Sequence, residues 1–127
     1  MFRRKPLLVL LIIIVMGFAS CKNEVPDTYY FAIYEISQTT FNNLNFNLTP
    51  TDALTWVRAQ QGTGSAPVIS RGGYNLDEMD EFLRGYFSNW SGEDITQIID
   101  NLRNSGYYYS RLTGGSSGYG FLYLNKE

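Results

Sequence analysis

The segment Gly114-Gly115-Ser116-Ser117-Gly118 matches, letter for letter, the G-x-S-x-G pattern that carries a serine nucleophile. That chemistry needs the serine on a strand-to-helix turn and a histidine to take its proton. The chain contains no histidine, and the segment lies between two aromatic runs that read as strands. A flexible hairpin turn is the better reading. No Gly-Lys-Ser/Thr and no helix follow these glycines, so they do not form a phosphate loop either. Without histidine, neither a Ser-His-Asp nor a Cys-His centre can be assembled, nor can an imidazole metal site. The single cysteine, Cys21, can make no internal disulfide and no thiolate zinc cage.

Carboxylates are the remaining chemical candidates. Asp77, Glu78, Asp80 and Glu81 form an acidic run, but no calcium-loop motif surrounds it. The run opens a predicted helix, where negative charge complements the positive end of the helix dipole. It reads as a solvated helix start, and no metal site is expected. Glu35 stands apart, because it falls among Ile33, Tyr34 and Ile36 in an otherwise apolar strand. A carboxyl buried there and left unpaired would be a candidate acid. The plainer reading is a strand-end glutamate in water, or one paired with Arg103 or Arg111. No second carboxylate can be set opposite it from spacing alone, so a glycosidase-type pair has no support.

Tyrosine is the strongest compositional signal: ten among 127 residues. Tyr29, Tyr30, Tyr34, Tyr107, Tyr108, Tyr109, Tyr119 and Tyr123 all fall in predicted strands. A tyrosine joins a large apolar ring to a polar tip, which suits half-buried sheets and also interfaces with proteins or sugars. Tyr107, Tyr108, Tyr109, Tyr119 and Tyr123 are therefore nominated as a candidate binding face. Cross-strand aromatic packing is the competing explanation.

The elements that must position these residues follow from period and punctuation. Residues 28–36 (TYYFAIYEI) read as a strand that is apolar on both alternating sets, hence covered on both faces and central. In 37–48, Phe41, Leu44 and Leu48 are at helical spacing among asparagines, which suggests a short helix. Thr49, Pro50 and Asp52 mark the start of a second helix, and Gly62 its end. Residues 62–73 read as a loop with a short strand possible only at 67–70. Asn75 with Glu78 makes a capping box before the stripe Leu76, Met79, Phe82, Leu83 and Tyr86. Ser91 with Asp94 repeats the arrangement before Ile95, Ile98, Ile99 and Leu102, and Gly106 follows the end. The short gap between these two helices predicts an αα-hairpin. YYYSRL and YGFLYL then read as a hairpin about the Gly-Ser turn. The predicted fold is α+β: a small antiparallel sheet, made of the N-terminal strand and the C-terminal hairpin, packed against about three helices. With helices on one face only, the other face would display tyrosine.

The first residues are of a different kind. Met1-Phe2-Arg3-Arg4-Lys5 is basic, and an apolar run extends from Leu7 to Ala19. As a helix it would be about 20 Å long, short of the roughly 30 Å hydrocarbon core of a bilayer. A basic start, a short apolar centre and small residues before a break describe an export signal. The break, Phe18-Ala19-Ser20-Cys21, resembles the lipobox of bacterial lipoproteins, although most of that family carry Leu where Phe18 stands. The resemblance covers residues 1–21 and implies that Cys21 receives a diacylglycerol, that the signal 1–20 is removed, and that the new amino group is acylated. Ordinary signal cleavage would instead leave Cys21 as a free thiol, and an uncleaved N-terminal helix is the third reading.

Under the lipoprotein reading, residues 21–27 are a membrane tether and 28–127 a single globular domain. Loss of Arg3, Arg4 and Lys5 leaves seven basic against twelve acidic residues, net −5. An acidic chain without a basic cluster is not expected to bind nucleic acid. The expected role is a non-enzymatic binding module of the bacterial cell envelope, periplasmic or surface-exposed. Its membrane attachment would be the covalent lipid on Cys21, its partner an envelope protein or glycan, and no cofactor is expected. A small carboxylate-dependent hydrolase or lyase using Glu35 is one alternative. An inhibitor or assembly cofactor of a larger envelope complex is another.

Overall fold

The computed structural model describes residues 26–62, 66–114 and 118–127. Cys21 and the lipobox residues Phe18, Ala19 and Ser20 lie outside them, as does Ser116. The described chain is an α+β fold with strand β1 (Tyr29–Glu35), helices α1 (Gln38–Asn43) and α2 (Pro50–Gln61), and strand β2 (Ile69–Tyr74). Helices α3 (Leu76–Tyr86) and α4 (Gly92–Ser105) follow, then β3 (Tyr107–Gly114) and β4 (Gly118–Lys126).

The helix starts are those the sequence marks. Thr49 Oγ1 accepts from Asp52 N, and Pro50 begins α2. Asn75 and Glu78 exchange both bonds of the capping box, and Ser91 caps α4. Ser37 caps α1, which ends at Asn43, so the Asn-rich stretch beyond it leaves the helix. Helices α3 and α4 form the expected hairpin.

The sheet is antiparallel throughout, in the order β2-β1-β4-β3. It has four strands where the sequence suggests three. The additional strand is Ile69–Tyr74, most of which reads as loop because Gly72 and Gly73 interrupt any alternation. The register between β1 and β2 shifts between Tyr29 and Phe31, which places Gly72 and Gly73 together opposite Tyr30 as a bulge. Gly73 has φ +76°, a conformation that suits glycine.

Neither face of the sheet is bare: the double cover expected for β1 extends over β4 and the inner part of β3, so the display of tyrosine that one-sided cover would give does not arise. Tyr29, Phe31, Ile33, Leu122 and Leu124 pack under Met79 and Leu83 of α3 and Ile95, Ile98, Ile99 and Leu102 of α4. On the opposite face, Ala32, Tyr34, Phe121, Tyr123 and Tyr109 pack under Leu44 and under Ala53 and Val57 of α2. Helices thus sandwich the sheet. The cause is visible in β1: both of its alternating sets are apolar, and each needs its own cover. Phe121 and Leu122, adjacent on β4, point into opposite cores and are both fully buried.

Candidate functional site

The five nominated tyrosines do not form one open face. The alternation along β3 and β4 sends Tyr107, Tyr109, Tyr119 and Tyr123 toward α1 and α2, and Tyr108 toward α3 and α4. Tyr109 and Tyr123 are buried beneath that cover. The Tyr109 hydroxyl donates to the Leu48 carbonyl at 2.6 Å, and the Tyr123 hydroxyl accepts from Asn125 Nδ2 at 2.9 Å. Both polar tips are thereby satisfied, as burial requires. Tyr119 packs edge-on against Phe41, with ring centroids 4.9 Å apart. Packing therefore accounts for Tyr109, Tyr123 and Tyr119. Tyr107 and Tyr108 are half-buried on the outermost strand.

What remains accessible is the margin of the sheet along β3. Phe46, in the segment between α1 and α2, is 48% exposed. Its ring lies nearly parallel to that of Tyr109, with centroids 5.7 Å apart, and Tyr107 also stacks on Tyr109, at 6.1 Å. The Arg111 guanidinium sits 5.0 Å from the Phe46 centroid and 5.4 Å from that of Phe41. An exposed cation held over two rings is both apolar and charged at one spot. Behind the same strand, Trp90, Asp94, Gln97, Ile98 and Tyr108 line a groove of about 190 Å³.

The backbone of β3 adds to this surface. Lys126 N donates to Gly106 O, and Ile36 N donates to Tyr119 O. In the observed register, these bonds assign the even-numbered residues of β4 to pairing with β3 and the odd-numbered ones to pairing with β1. It follows that Tyr107, Tyr109, Arg111 and Thr113 direct their N–H and C=O groups away from the sheet. The Arg111 carbonyl, on that outer side, accepts from Ser110 Oγ at 3.2 Å.

Glu35 is exposed at the end of β1 rather than enclosed by it, and its backbone carbonyl accepts from the Gln61 side chain. The enclosure that made it a candidate acid is absent: Tyr34 and Ile36 on either side are buried, while Glu35, on the alternate face at the strand end, is exposed. A second, larger groove of about 360 Å³ runs past Tyr29 beside Asp27, Asp77 and Arg103, and Glu35 does not line it. The acidic run behaves as a helix start: Glu78 completes the capping box, and Asp80 pairs with Arg84 at 2.7 Å. Among the described residues, no group of three or more Cys, Asp or Glu side chains is placed to hold a metal ion. Gly114 and Gly118 close the β3–β4 hairpin directly opposite each other. The G-x-S-x-G segment thus leads into a strand, with no helix after it.

Phe46, Phe41 and the role of Arg111 escape sequence reasoning. Phe46 stands in an Asn-rich stretch with no period, and its partners lie more than sixty residues away along the chain. The nearest available signal was the surplus of aromatic residues over what the predicted helices could bury. Among the described residues, no helix is long and apolar enough to cross a membrane. The chain matches no protein-family model, no curated protein and no solved structure.

Proposed function

We propose that this chain is a lipid-anchored protein of the bacterial envelope whose α+β domain is a non-enzymatic interaction module, acting through its β3 margin. The observation that carries the reading is the patch of exposed Phe46, stacked on Tyr109 and lying beneath the Arg111 guanidinium. Aromatic rings and arginine are the residue types on which protein interfaces concentrate their binding energy. The anchor is supported by residues 1–21, whose basic, apolar and small-residue order ends at Cys21. Two or three acyl chains hold a protein stably on a bilayer, where one alone is marginal. Seven tether residues, 21–27, span at most about 25 Å, so the module would work close to the membrane surface. Asp27, at the end of that tether, pairs with Lys126 at 3.3 Å.

The test is metabolic labelling with a radioactive fatty acid, followed by crosslinking in intact cells. Wild-type protein should take up label, and Cys21→Ala, which keeps the apolar run 7–19 and so still enters detergent, should not. Phe46→Ala should keep the label and lose crosslinked products. Label that persists in Cys21→Ala, or crosslinking indifferent to Phe46, would remove the anchor or the interface respectively.

A further inference from the structure

The two margins of the sheet are built differently. On β2 the backbone is closed off: the bulge at Gly72 and Gly73 distorts it, the Arg71 guanidinium donates to the Ser70 carbonyl at 2.8 Å, and Gly73 N–H donates to Glu127 Oε1 at 2.7 Å. Bulges and charged side chains are the devices by which proteins stop a sheet from growing. On β3 there is no bulge, and its charged residue, Arg111, leans its guanidinium over Phe46 and Phe41 instead of onto the outward backbone, where the Arg111 carbonyl accepts from Ser110 Oγ. The strand is eight residues long, pairs with β4 without a register shift, and contains no proline and no lysine. Among the described residues, no partner stands against the outward N–H groups of Tyr107, Tyr109, Arg111 and Thr113.

We infer that β3 pairs with β3 of a second copy of this chain, antiparallel, about a two-fold axis through Ser110. The inference rests on the reading of β3 as the interaction margin and names its partner. Self-complementarity selects that partner. With Ser110 opposite the partner's Ser110, Tyr107 meets the partner's Thr113, and Tyr109 meets the partner's Arg111. Every outward N–H and C=O of the strand then lies in a hydrogen-bonded pair. The side chains agree with this register. On one face, exposed Arg111 stands opposite the partner's buried Tyr109 and meets the edge of the aromatic stack that Phe46 and Tyr107 make with that ring. On the other, half-buried Tyr108 faces the partner's half-buried Leu112, with the small Ser110 pair between them. Sliding by two residues leaves an outward residue unbonded at one end, and in one direction sets Arg111 against the partner's Arg111, a like-charge pair that costs stability. The result is one continuous eight-stranded sheet. Because both of its outer margins are then the closed β2 strands, assembly stops at the dimer.

Cysteine placement reads this register directly. Ser110 and the partner's Ser110 would form a non-hydrogen-bonded pair, with Cα atoms about 4.5 Å apart, within disulfide reach. Two copies of Leu112 would be about 13 Å apart along the strands, well beyond it. In the full chain carrying Cys21→Ala, purified in detergent, Ser110→Cys should convert to a disulfide-linked dimer on mild oxidation, and Leu112→Cys should not. Light scattering, corrected for bound detergent, should give that same chain with Ser110 intact twice the protein mass of its Ser110→Lys variant, which sets two ammonium groups face to face. If Ser110→Lys loses its circular dichroism spectrum, Arg111→Pro replaces it, since an outward N–H on an edge strand can be given up without breaking the ladder. A monomeric wild-type mass, or equal crosslinking at both cysteines, overturns the inference. A monomer that still crosslinks, through Phe46, to a different envelope protein overturns only the choice of partner. A monomer with no Phe46-dependent partner removes the proposed function as well.

Discussion

Burial at single tyrosines has a measurable consequence. Tyr34 and Tyr109 are 3% and 8% exposed, and both hydroxyls ionise above the ordinary tyrosine range. Burial, which disfavours the phenolate, is the largest cause in each case; Tyr30 adds to it at Tyr34, and Tyr107 at Tyr109. The unfolded chain releases these protons at about pH 10, before the folded one does. The stability they contribute is therefore complete below that pH and is lost as pH rises through the folded-state values. On alkaline titration, phenolate absorbance should show a late component that coincides with unfolding. Tyr34→Phe should shrink that component and move the unfolding midpoint to higher pH. Ten tyrosines titrating as one early class in the folded protein would contradict this account. The burial itself was legible in Tyr34, which lies in a strand apolar on both sides. It was not legible in Tyr109, whose cover comes from Leu48, an irregular segment far away in the chain.

At the scale of elements, local sequence carried most of the information because caps and stops act within a few residues. Gly106 ends α4 with φ +86°; its N–H donates to Leu102 O and its carbonyl accepts from Lys126 N. One residue thus closes a helix and opens the β3–β4 ladder. Gly106→Ala should destabilise the domain by about 1–2 kcal/mol, the cost of a left-handed conformation for a residue with a Cβ. Chemical denaturation measures it, and an unchanged midpoint would show that the turn relaxes into another geometry. Strand β2 is the element that local reasoning misses. Its Gly72-Gly73 pair looks like loop punctuation, and only pairing with β1, with Glu127 closing the bulge, makes it a strand.

Across the whole molecule, two hydrophobic cores share one sheet, and β4 joins them. Phe121 points into one and Leu122 into the other. Phe121→Ala should cost about 3–5 kcal/mol and Leu122→Ala about 2–5 kcal/mol. Small domains have total stabilities of about 5–15 kcal/mol, so either variant removes a large share. Because the strand between the cores cannot unfold on one side only, each variant should lower a single transition seen alike by tyrosine fluorescence and far-ultraviolet circular dichroism. Separate melting of one helical layer would contradict that coupling. The sequence by itself determined the α+β class, the central place of β1, the starts of α2, α3 and α4, the terminal hairpin and the exclusion of histidine chemistry. These depend on residue type and near-neighbour spacing. Only the tertiary structure decided that the hairpin tyrosines are covered, that Glu35 is exposed, and that an edge of β3 carries an accessible patch of Phe46 and Arg111. Those outcomes depend on which distant segments meet, and a two-residue alternation records that a strand has two faces without recording what covers them.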